Sequence, residues 1–238
     1  MAEFERKYGA PLTGWVPPRA PDALRLEGEY ARLERLSPAA HVADLHAANR
    51  TEDRIWDYLG YGPFATEAEY RTWAGGMAAQ SDPFFYAILD RATNRAGGVA
   101  SYLRITPAAG SIEVGHINLA PVLQGSRVAT EAMFLLMGWV FAAGYRRYEW
   151  KCDALNLPSR RAAERFGFSY EGVFRQHMVY KGRNRDTAWF AMTDQDWPAI
   201  SAAFRAWLVP DNFDAKGRQR RALSEMTHPL LVMRDPSR

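Results

Sequence analysis

The chain has 238 residues, of which 47% are hydrophobic and 24% are charged, and its formal net charge is +3. This composition excludes a disordered or collagen-like protein, and the length suits one substantial core with appended segments. The small positive charge suits an anionic ligand but is too weak to indicate nucleic-acid binding.

The single cysteine, Cys152, excludes an intramolecular disulfide, and the sequence lacks the Cys/His spacing of a metal site. The first residues, Met1 to Lys7, alternate in charge and have no hydrophobic signal core. The most apolar run, Ala132 to Ala143, is too short to span a bilayer. The sequence therefore predicts a cytoplasmic protein that contacts no membrane and needs no metal.

The first 25 residues contain several prolines and glycines, which predicts an irregular arm that wraps the body or stays mobile. From Leu26 to Leu36, apolar residues alternate with charged ones, and this pattern predicts a half-buried strand. Ser37 and Pro38 then supply the cap and the first position of a helix.

A second helical region is predicted from about Thr51 to Gln80, with a break at Gly60–Pro63 and a restart at Thr66. Three strand candidates follow at a spacing typical of consecutive antiparallel strands. They are Phe84–Asp90, Gly97–Ile105 and Ile112–Leu119.

From about Ser126 the apolar period becomes helical, and Gly144 closes this helix. The later predicted elements are a strand at Arg147–Asp153, a short helix at Pro158–Phe166, strands at Tyr170–Tyr180 and Thr187–Met192, and a helix capped by Thr193 that runs to about Leu208. This order predicts one mixed α/β domain over residues 26–198. Residues 1–25 form the arm, and residues 199–238 form a C-terminal helix end and a basic tail.

Four local motifs carry the candidate chemistry. The loop Gln124–Ala129 lies between a strand and a long helix, where unpaired N–H groups and the helix dipole favour a phosphate. The segment Asn156–Phe168 combines an asparagine, a serine and a Gly-Phe pair at fixed distances. The other two motifs are the strand Tyr148–Asp153 and a hairpin pattern over residues 172–187.

The order of the elements and these four motifs resemble the GCN5-related N-acetyltransferase (GNAT) superfamily over about Leu26 to Trp197, in particular the branch that acetylates ribosomal-protein N-termini and aminoacyl groups. The resemblance implies a mixed, splayed central sheet flanked by helices. It also implies acetyl-CoA as cofactor, inserted between the strand of His116 and the strand of Glu149. The implied cofactor-binding residues are Leu119, Gln124, Gly125, Ser126, Arg127, Val128, Ala129, Thr130, Asn156 and Ser159.

Arg127 departs from the family pattern, because the family has a glycine at this position of the loop. Backbone N–H donation survives the change if φ stays negative, and a guanidinium near phosphate adds charge-assisted hydrogen bonds. The alternative is an ordinary helix start with a solvated arginine.

The segment from Asn156 indicates which residue acts as the acid. Many family members place a tyrosine seven residues after the asparagine, and that position here is Ala163. Ser159 matches the serine that the ribosomal-protein branch uses to protonate the departing thiolate. The alternative for Ser159 is a simple helix cap. The family role implied for Asn156 is a hydrogen bond to the pantetheine arm.

Acetyl transfer needs a neutral amine, so a base or a water relay must remove a proton. The candidates are Glu149, His116 and Glu113, and the last of these also counts as a candidate substrate contact. A packed or solvated role is the alternative for each, and direct attack by a neutral amine stays open. Cys152 is interpreted as a packed thiol, since no histidine partner is indicated.

Aromatic residues lie where the family builds its acceptor lid, and they are Trp56, Tyr61 and Phe64. A flat aromatic surface can hold a planar or cationic acceptor, but aromatics at helical spacing also form plain core. Residues 172–187 resemble the closing hairpin of this branch, and a structural ion pair is the alternative interpretation of Arg185 and Asp186.

The sequence therefore predicts an acetyl-CoA-dependent N-acetyltransferase whose acceptor is a primary amine, the α-amine of a small aminoacyl compound or of a peptide or protein end. One alternative is a non-catalytic acyl-CoA-binding module that senses or scaffolds. A nucleic-acid binder, resting on the basic tail, ranks below both. A homodimer stays open.

Overall fold

The computed structural model describes residues 8–237, in which eight strands form one sheet and helices cover it. The strands are β1 (Arg25–Glu27), β2 (Ala31–Arg35), β3 (Phe84–Asp90), β4 (Arg95–Thr106), β5 (Ser111–Leu119), β6 (Arg147–Asp153), β7 (Ser169–Tyr180) and β8 (Arg183–Thr193). The helices are α1 (Pro38–Asn49), α2 (Glu67–Ala78), α3 (Arg127–Ala142), α4 (Leu157–Arg165), α5 (Trp197–Leu208) and α6 (Leu223–Thr227).

The sheet has the order β1-β2-β3-β4-β5-β6-β8-β7, and neighbouring strands are antiparallel except β5 and β6. The parallel pair is short, since its register runs from Ser111↔Arg147 only to Val114↔Trp150. Beyond this point β5 stays with β4 and β6 stays with β8, so the sheet opens. The predicted mixed α/β architecture with a splayed sheet flanked by helices is confirmed.

Successive side chains of the central strands point to opposite faces of the sheet, and each face has its own hydrophobic core. On β3, Phe84, Tyr86 and Ile88 enter the larger core with the buried face of α3, whereas Phe85, Ala87 and Leu89 enter the smaller one with α1 and α2. Both sets are almost completely buried, so β3 is an interior strand. The helical spacing of apolar residues in α3 is what anchors this helix to the sheet.

The single N-terminal strand expected over residues 26–36 is wrong, because the chain turns between β1 and β2. The carboxylate of Glu131 accepts hydrogen bonds from the backbone N–H groups of residues 29, 30 and 31, at 2.9, 2.6 and 2.6 Å. A Cβ on Gly28 would lie 2.3 Å from the carboxyl carbon of Glu131. A side chain more than one hundred residues away therefore shapes this turn.

Local capping residues set most helix starts as predicted. Ser37 caps α1 with Pro38 in its first turn, and Thr66 caps α2 in a capping box with Glu69. Before α2, the expected helical region contains only a 3-10 turn at Asp53–Trp56. The expected cap of the last long helix is wrong: Asp196 precedes α5, and its carboxylate accepts hydrogen bonds from the N–H and hydroxyl of Thr193.

Both terminal segments contact the body of the protein. In the N-terminal arm, the carbonyl oxygens of Arg19 and Ala23 accept hydrogen bonds from buried tyrosines. After α5, the chain folds back through α6 and returns to α4, where Asp235 pairs with Arg160 at 2.6 Å. Residues 1–7 of the expected arm and Arg238 of the expected tail lie outside the described residues. Within residues 8–237, no helix combines the length and apolar character that a membrane span requires.

Candidate functional site

The candidate site lies where β5 and β6 separate, beyond their last paired residues Val114 and Trp150. Because the two strands are parallel, both of their carboxyl ends lie on this side of the sheet, and α3 and α4 begin just after them. Two helix N-termini and two strand edges with unpaired backbone groups therefore meet at one opening.

A β-bulge deforms β5 at this opening. Val99 pairs with Asn118 and Ser101 with Gly115, so two residues of β5 oppose one residue of β4. One of the two is His116, whose φ of 52° is in the left-handed region. A non-glycine residue held there costs about 1–3 kcal/mol, and such strain is commonly found at functional sites.

The ring of His116 lies among aromatic residues, at 5.6 Å from the ring of Tyr61 and 5.1 Å from that of Phe85. Burial, together with the nearby charge of Arg104, lowers the pKa of His116 to about 4. The imidazole is therefore neutral at pH 7 and is a weak base there.

The loop Gln124–Ala129 closes the N-terminus of α3. Ser126 is the cap, and its Oγ accepts a hydrogen bond from the N–H of Ala129 at 3.0 Å. Gln124 Nε2 donates to the carbonyl of Leu119 at 2.9 Å, and the Thr130 hydroxyl donates to the carbonyl of Ser126 at 3.0 Å. Five of the predicted cofactor residues are thus held in one compact turn.

Three backbone N–H groups of this loop, those of Gly125, Arg127 and Val128, have no hydrogen-bond partner within residues 8–237. Gly125 has a φ of 66°, and no atom lies within 4 Å of where its Cβ would be, so the loop is open toward solvent. Free N–H groups at the positive end of a 16-residue helix fit a phosphate or pyrophosphate.

Arg127 is the first residue of α3, and its φ is negative, so its N–H is oriented as in other helix starts. Its guanidinium lies 3.5 Å from the centroid of the Phe213 ring and 4.6 Å from that of Tyr30. The side chain is therefore stacked between two rings.

At the start of α4, Asn156 and Ser159 are fixed by side-chain hydrogen bonds. The N–H of Ser159 donates to Asn156 Oδ1 at 3.1 Å, which makes Asn156 the helix cap. The Oγ of Ser159 accepts a hydrogen bond from the indole N–H of Trp150 at 3.0 Å. Because a hydroxyl has one donor and two acceptor sites, Ser159 can accept from Trp150 and also donate its own proton, which it shares with the sulfur of Cys152.

Two neighbours of Ser159 are buried. Burial raises the pKa of the Cys152 thiol to about 11, although a hydrogen bond from Ser159 opposes the shift. Ala163 is completely buried in the core.

The carboxylates of Glu113 and Glu149 share one ammonium group. Lys151 Nζ lies 2.9 Å from Glu113 Oε2 and 2.7 Å from Glu149 Oε2. Glu113 also pairs with Arg104 at 2.7 Å, and Glu149 with Arg147 at 2.6 Å. Each candidate base is therefore held by two cations.

The two carboxyls respond differently to this environment. Burial raises the pKa of Glu113 despite its two cations. Burial also tends to raise the pKa of Glu149, but the hydrogen bonds from Arg147 and Lys151 outweigh it and hold that pKa below its usual value.

The predicted lid residues form one aromatic group. Trp56 lies 6.1 Å from Tyr61 and 5.3 Å from Phe64 between ring centroids, and all three pack into the smaller core. Tyr61 also contacts His116, and its hydroxyl has no hydrogen-bond partner among the described residues. These rings are both core and one wall of the opening.

Three hydrogen bonds that the sequence did not indicate cross the opening. Tyr180 donates to Asp153 Oδ2 at 3.0 Å, Lys181 to the carbonyl of Trp56 at 3.0 Å, and Tyr58 to the carbonyl of Leu155 at 3.3 Å. They connect the β7–β8 hairpin, the aromatic segment and the β6–α4 loop, which no local motif relates.

Arg185 and Asp186 form no ion pair within residues 8–237, so the structural alternative for this pair does not hold. Asp186 instead accepts hydrogen bonds from the N–H of Gln176 and from Asn184, at 2.7 and 3.0 Å. The guanidinium of Arg185 lies 5.5 Å from the Tyr180 ring. Asp186 therefore stabilises the irregular part of β7 and does not pair with the neighbouring Arg185.

Comparison with known proteins relates this architecture to one family. A family model described as the acetyltransferase (GNAT) domain matches residues 31–169. A GCN5-related N-acetyltransferase from Brucella melitensis is 47% identical, with a TM-score of 0.89 over 91% of this chain and 99% of that chain. A GNAT-family structure from Chromobacterium violaceum is 40% identical, with a TM-score of 0.77 over 82% and 98% of the two chains.

A more distant structure is an acetyltransferase from Salmonella typhimurium that modifies the N-terminal serine of a 50S ribosomal subunit protein. It is 23% identical, with a TM-score of 0.59 over 70% of this chain and 96% of that chain, and it shares the fold. No curated protein sequence matches the chain.

Proposed function

Because the chain belongs to the GNAT family of acetyltransferases, we propose that it transfers the acetyl group of acetyl-CoA to a primary amine at the opening between β5 and β6. The observation that carries this proposal is that the opening lies next to a helix N-terminus whose N–H groups are free. The acceptor we propose is the α-amine of a small aminoacyl compound or of a peptide end.

The chain's own groups would hold the cofactor by its phosphates. The free N–H groups of Gly125, Arg127 and Val128 would bind the pyrophosphate, helped by the dipole of α3. Asn156 uses its Oδ1 for the N–H of Ser159, so its Nδ2 remains to donate to the pantetheine arm. When bound, acetyl-CoA supplies an activated thioester carbonyl for the amine to attack.

Ser159 would act as the acid. Its Oγ–H would donate to the sulfur that leaves, and the indole N–H of Trp150 would stabilise the negative charge that then develops on Oγ. The neighbouring Cys152 thiol, with a pKa raised to about 11, stays protonated at neutral pH and does not act as a nucleophile there.

The proton of the amine would leave without a dedicated base. Glu113 and Glu149 are each engaged by two cations, and His116 has a pKa of about 4. We propose that the amine attacks as the free base, or first loses its proton to water; the proton that its nitrogen gives up as the amide forms passes through water and restores the Ser159 hydroxyl. Trp56, Tyr61 and Phe64 would form the wall against which the acceptor packs.

The test is a thiol-release screen with acetyl-CoA against amino acids, aminoacyl sulfamoyl adenosines, short peptides, polyamines and aminoglycosides. We expect release with α-amines and a large loss of release in Ser159→Ala. Acetyl-CoA binding without thiol release on any amine would favour the non-catalytic binding module instead.

A further inference from the structure

A loop outside the matched family segment lies against the start of α3. We call residues 209–222 the C-terminal loop; it follows α5 and precedes α6. Its Phe213 stacks on Arg127 at 3.5 Å and lies 5.0 Å from the ring of Trp207 on α5. The family model matches residues 31–169, so Phe213 lies outside the matched segment.

Buried Asn212 holds the C-terminal loop in one shape. Its Nδ2 donates to the carbonyls of Trp207 and Arg221 at 3.0 and 3.2 Å, and its Oδ1 accepts from the N–H of Arg221 at 3.0 Å. Phe213 and Gln219 form a bridge across the loop, and Gln219 also accepts a hydrogen bond from Trp207. The loop therefore presents Phe213 to Arg127 as a fixed surface.

The guanidinium of Arg127 has no hydrogen bond and no ion pair within residues 8–237. Glu131, one turn further along α3, does not pair with this guanidinium, because its carboxylate accepts hydrogen bonds from the backbone N–H groups of residues 29–31. The neighbours of the Arg127 guanidinium are the rings of Phe213 and Tyr30, which offer its N–H groups no hydrogen-bond acceptor. A planar fork held this way matches two oxygens of one phosphate.

A second cation near the same helix end also has no acid partner. Arg165 is half-buried, donates only to the hydroxyl of Thr130 at 3.2 Å, and lies 5.2 Å from the Trp207 ring. Burial lowers the pKa of Arg165. Because half-buried cations are costly without a counter-ion, the pair Arg127 and Arg165 favours an anion at this place.

The C-terminal loop adds further positive charge beside Arg127. Lys216, Arg220 and Arg221 are exposed and form no ion pair in the described part of the chain, while Arg218 pairs with Asp214 at 2.7 Å. The anion that this surface suits therefore carries more than one negative charge.

We propose that Arg127, held by the C-terminal loop, recognises the 3′-phosphate on the adenosine of coenzyme A. This inference rests on the proposed function, which assigns the pyrophosphate to the free N–H groups beside Arg127. The 3′-phosphate is the one remaining phosphate of the cofactor, it is one ribose away from the pyrophosphate, and as a monoester it presents the dianion that a guanidinium fork binds in a bidentate way.

The test compares the affinities of coenzyme A and 3′-dephospho-coenzyme A by calorimetry. We expect the wild type to bind coenzyme A about tenfold more tightly or better, as one charge-assisted contact implies. Arg127→Gln should lose this preference and keep its affinity for the dephospho form. The unchanged dephospho affinity shows that the variant is folded.

Two further variants separate the loop from the charge. Phe213→Leu keeps Arg127 but removes its stacking partner, so the preference should shrink without vanishing. Arg50→Gln removes an exposed, unpaired arginine at the end of α1, and the preference should stay as in the wild type.

Equal wild-type affinity for the two compounds would overturn the inference and leave the proposed function standing. An equal loss for both compounds in Arg127→Gln would also overturn it, because Arg127 would then contact the pyrophosphate. Absence of binding by either compound would overturn the proposed function as well. Tight, salt-dependent binding of a single-stranded RNA oligomer, with no preference between the two compounds, would assign the basic surface to nucleic acid instead.

Discussion

Trp150→Phe is the substitution that isolates the acid step. It keeps a buried aromatic ring on β6 and removes the indole N–H that donates to Ser159 Oγ at 3.0 Å. We expect kcat to fall while the KM for acetyl-CoA stays within about twofold, because the N–H interacts most strongly with Oγ when that oxygen gives up its proton.

The size of the effect follows from the kind of hydrogen bond. A neutral hydrogen bond contributes about 1 kcal/mol, and one to a charged group contributes about 1.5–3 kcal/mol. The difference, which acts only in the transition state, is about 1 kcal/mol or slightly more and corresponds to a kcat about five- to tenfold lower.

The assay is thiol release from acetyl thioesters with thiol groups of different pKa, using the best amine of the screen. A thiol of low pKa leaves without help, so Trp150→Phe should approach the wild-type rate with such a thioester and lag most with acetyl-CoA. Trp15→Phe is the matched control, since the Trp15 indole N–H has no hydrogen-bond partner in the described residues. An equal loss across all leaving groups would refute the role of Trp150 in the acid step.

Three other substitutions test the fold and the site. Glu131→Gln puts an amide donor against the N–H groups of residues 29–31 and should lower the free energy of unfolding by about 2–3 kcal/mol in denaturant titration. Burial tends to raise the pKa of Asp235, but hydrogen bonds from Arg160 and Ser237 hold it below its usual value. Asp235→Asn should therefore cost stability above pH ~4, and the difference from wild type should disappear as the pH falls through the lower folded-state pKa. His116→Asn, which tolerates a positive φ, should leave the pH profile of kcat/KM unchanged between pH 6 and 8 to within the precision of the assay.

The same histidine affects stability between about pH 6.5 and pH 4, and the sign is the same as for Asp235, because both folded-state pKa values are lowered. The folded-state pKa of His116 is about 4 and lies below that of the unfolded chain, so the unfolded chain binds the proton first. Wild-type stability should fall from about pH 6.5 toward pH 4, and His116→Asn should remove that part of the slope. Glu225→Gln is the control for Glu131→Gln in the stability measurements, because it makes the same change at an exposed position.

The features that the sequence predicts well are those that neighbouring residues determine. Ser37-Pro38, the Thr66–Glu69 capping box and the helical period of α3 each act within one or two turns, and each helix begins where these residues indicate. The order of strands and helices along the chain followed from turn residues and from the switch of apolar period from two to about 3.6.

The features that it does not predict depend on contacts between distant residues. The β1–β2 turn is shaped by Glu131, and the hydroxyl of Ser159 is oriented by Trp150 from a different element. Arg127 could be interpreted from the sequence as a solvated arginine, because its ring partner Phe213 lies far along the chain.

A network of charged residues on the paired part of β5 and β6, next to the opening, carries information about the acceptor. Three carboxylates and three cations form one connected network across the sheet, and they are Glu113, Glu149, Glu171, Arg104, Arg147 and Lys151. Equal numbers of opposite charges leave no negative excess that would draw in an ammonium group or a polyamine.

This balance favours an acceptor that is partly neutral in water. An α-amine has a pKa of about 7.7–8.0, so roughly one molecule in four or five is already neutral at pH 7.3, whereas a lysine-type amine near 10.4 is neutral in about one molecule in a thousand. An enzyme whose carboxylates are engaged by cations and whose histidine has a pKa of about 4 gains most from the α-amine. The pairing of the carboxylates with cations therefore fits the proposed aminoacyl or peptide-end acceptor, because such an amine needs the least help to lose its proton.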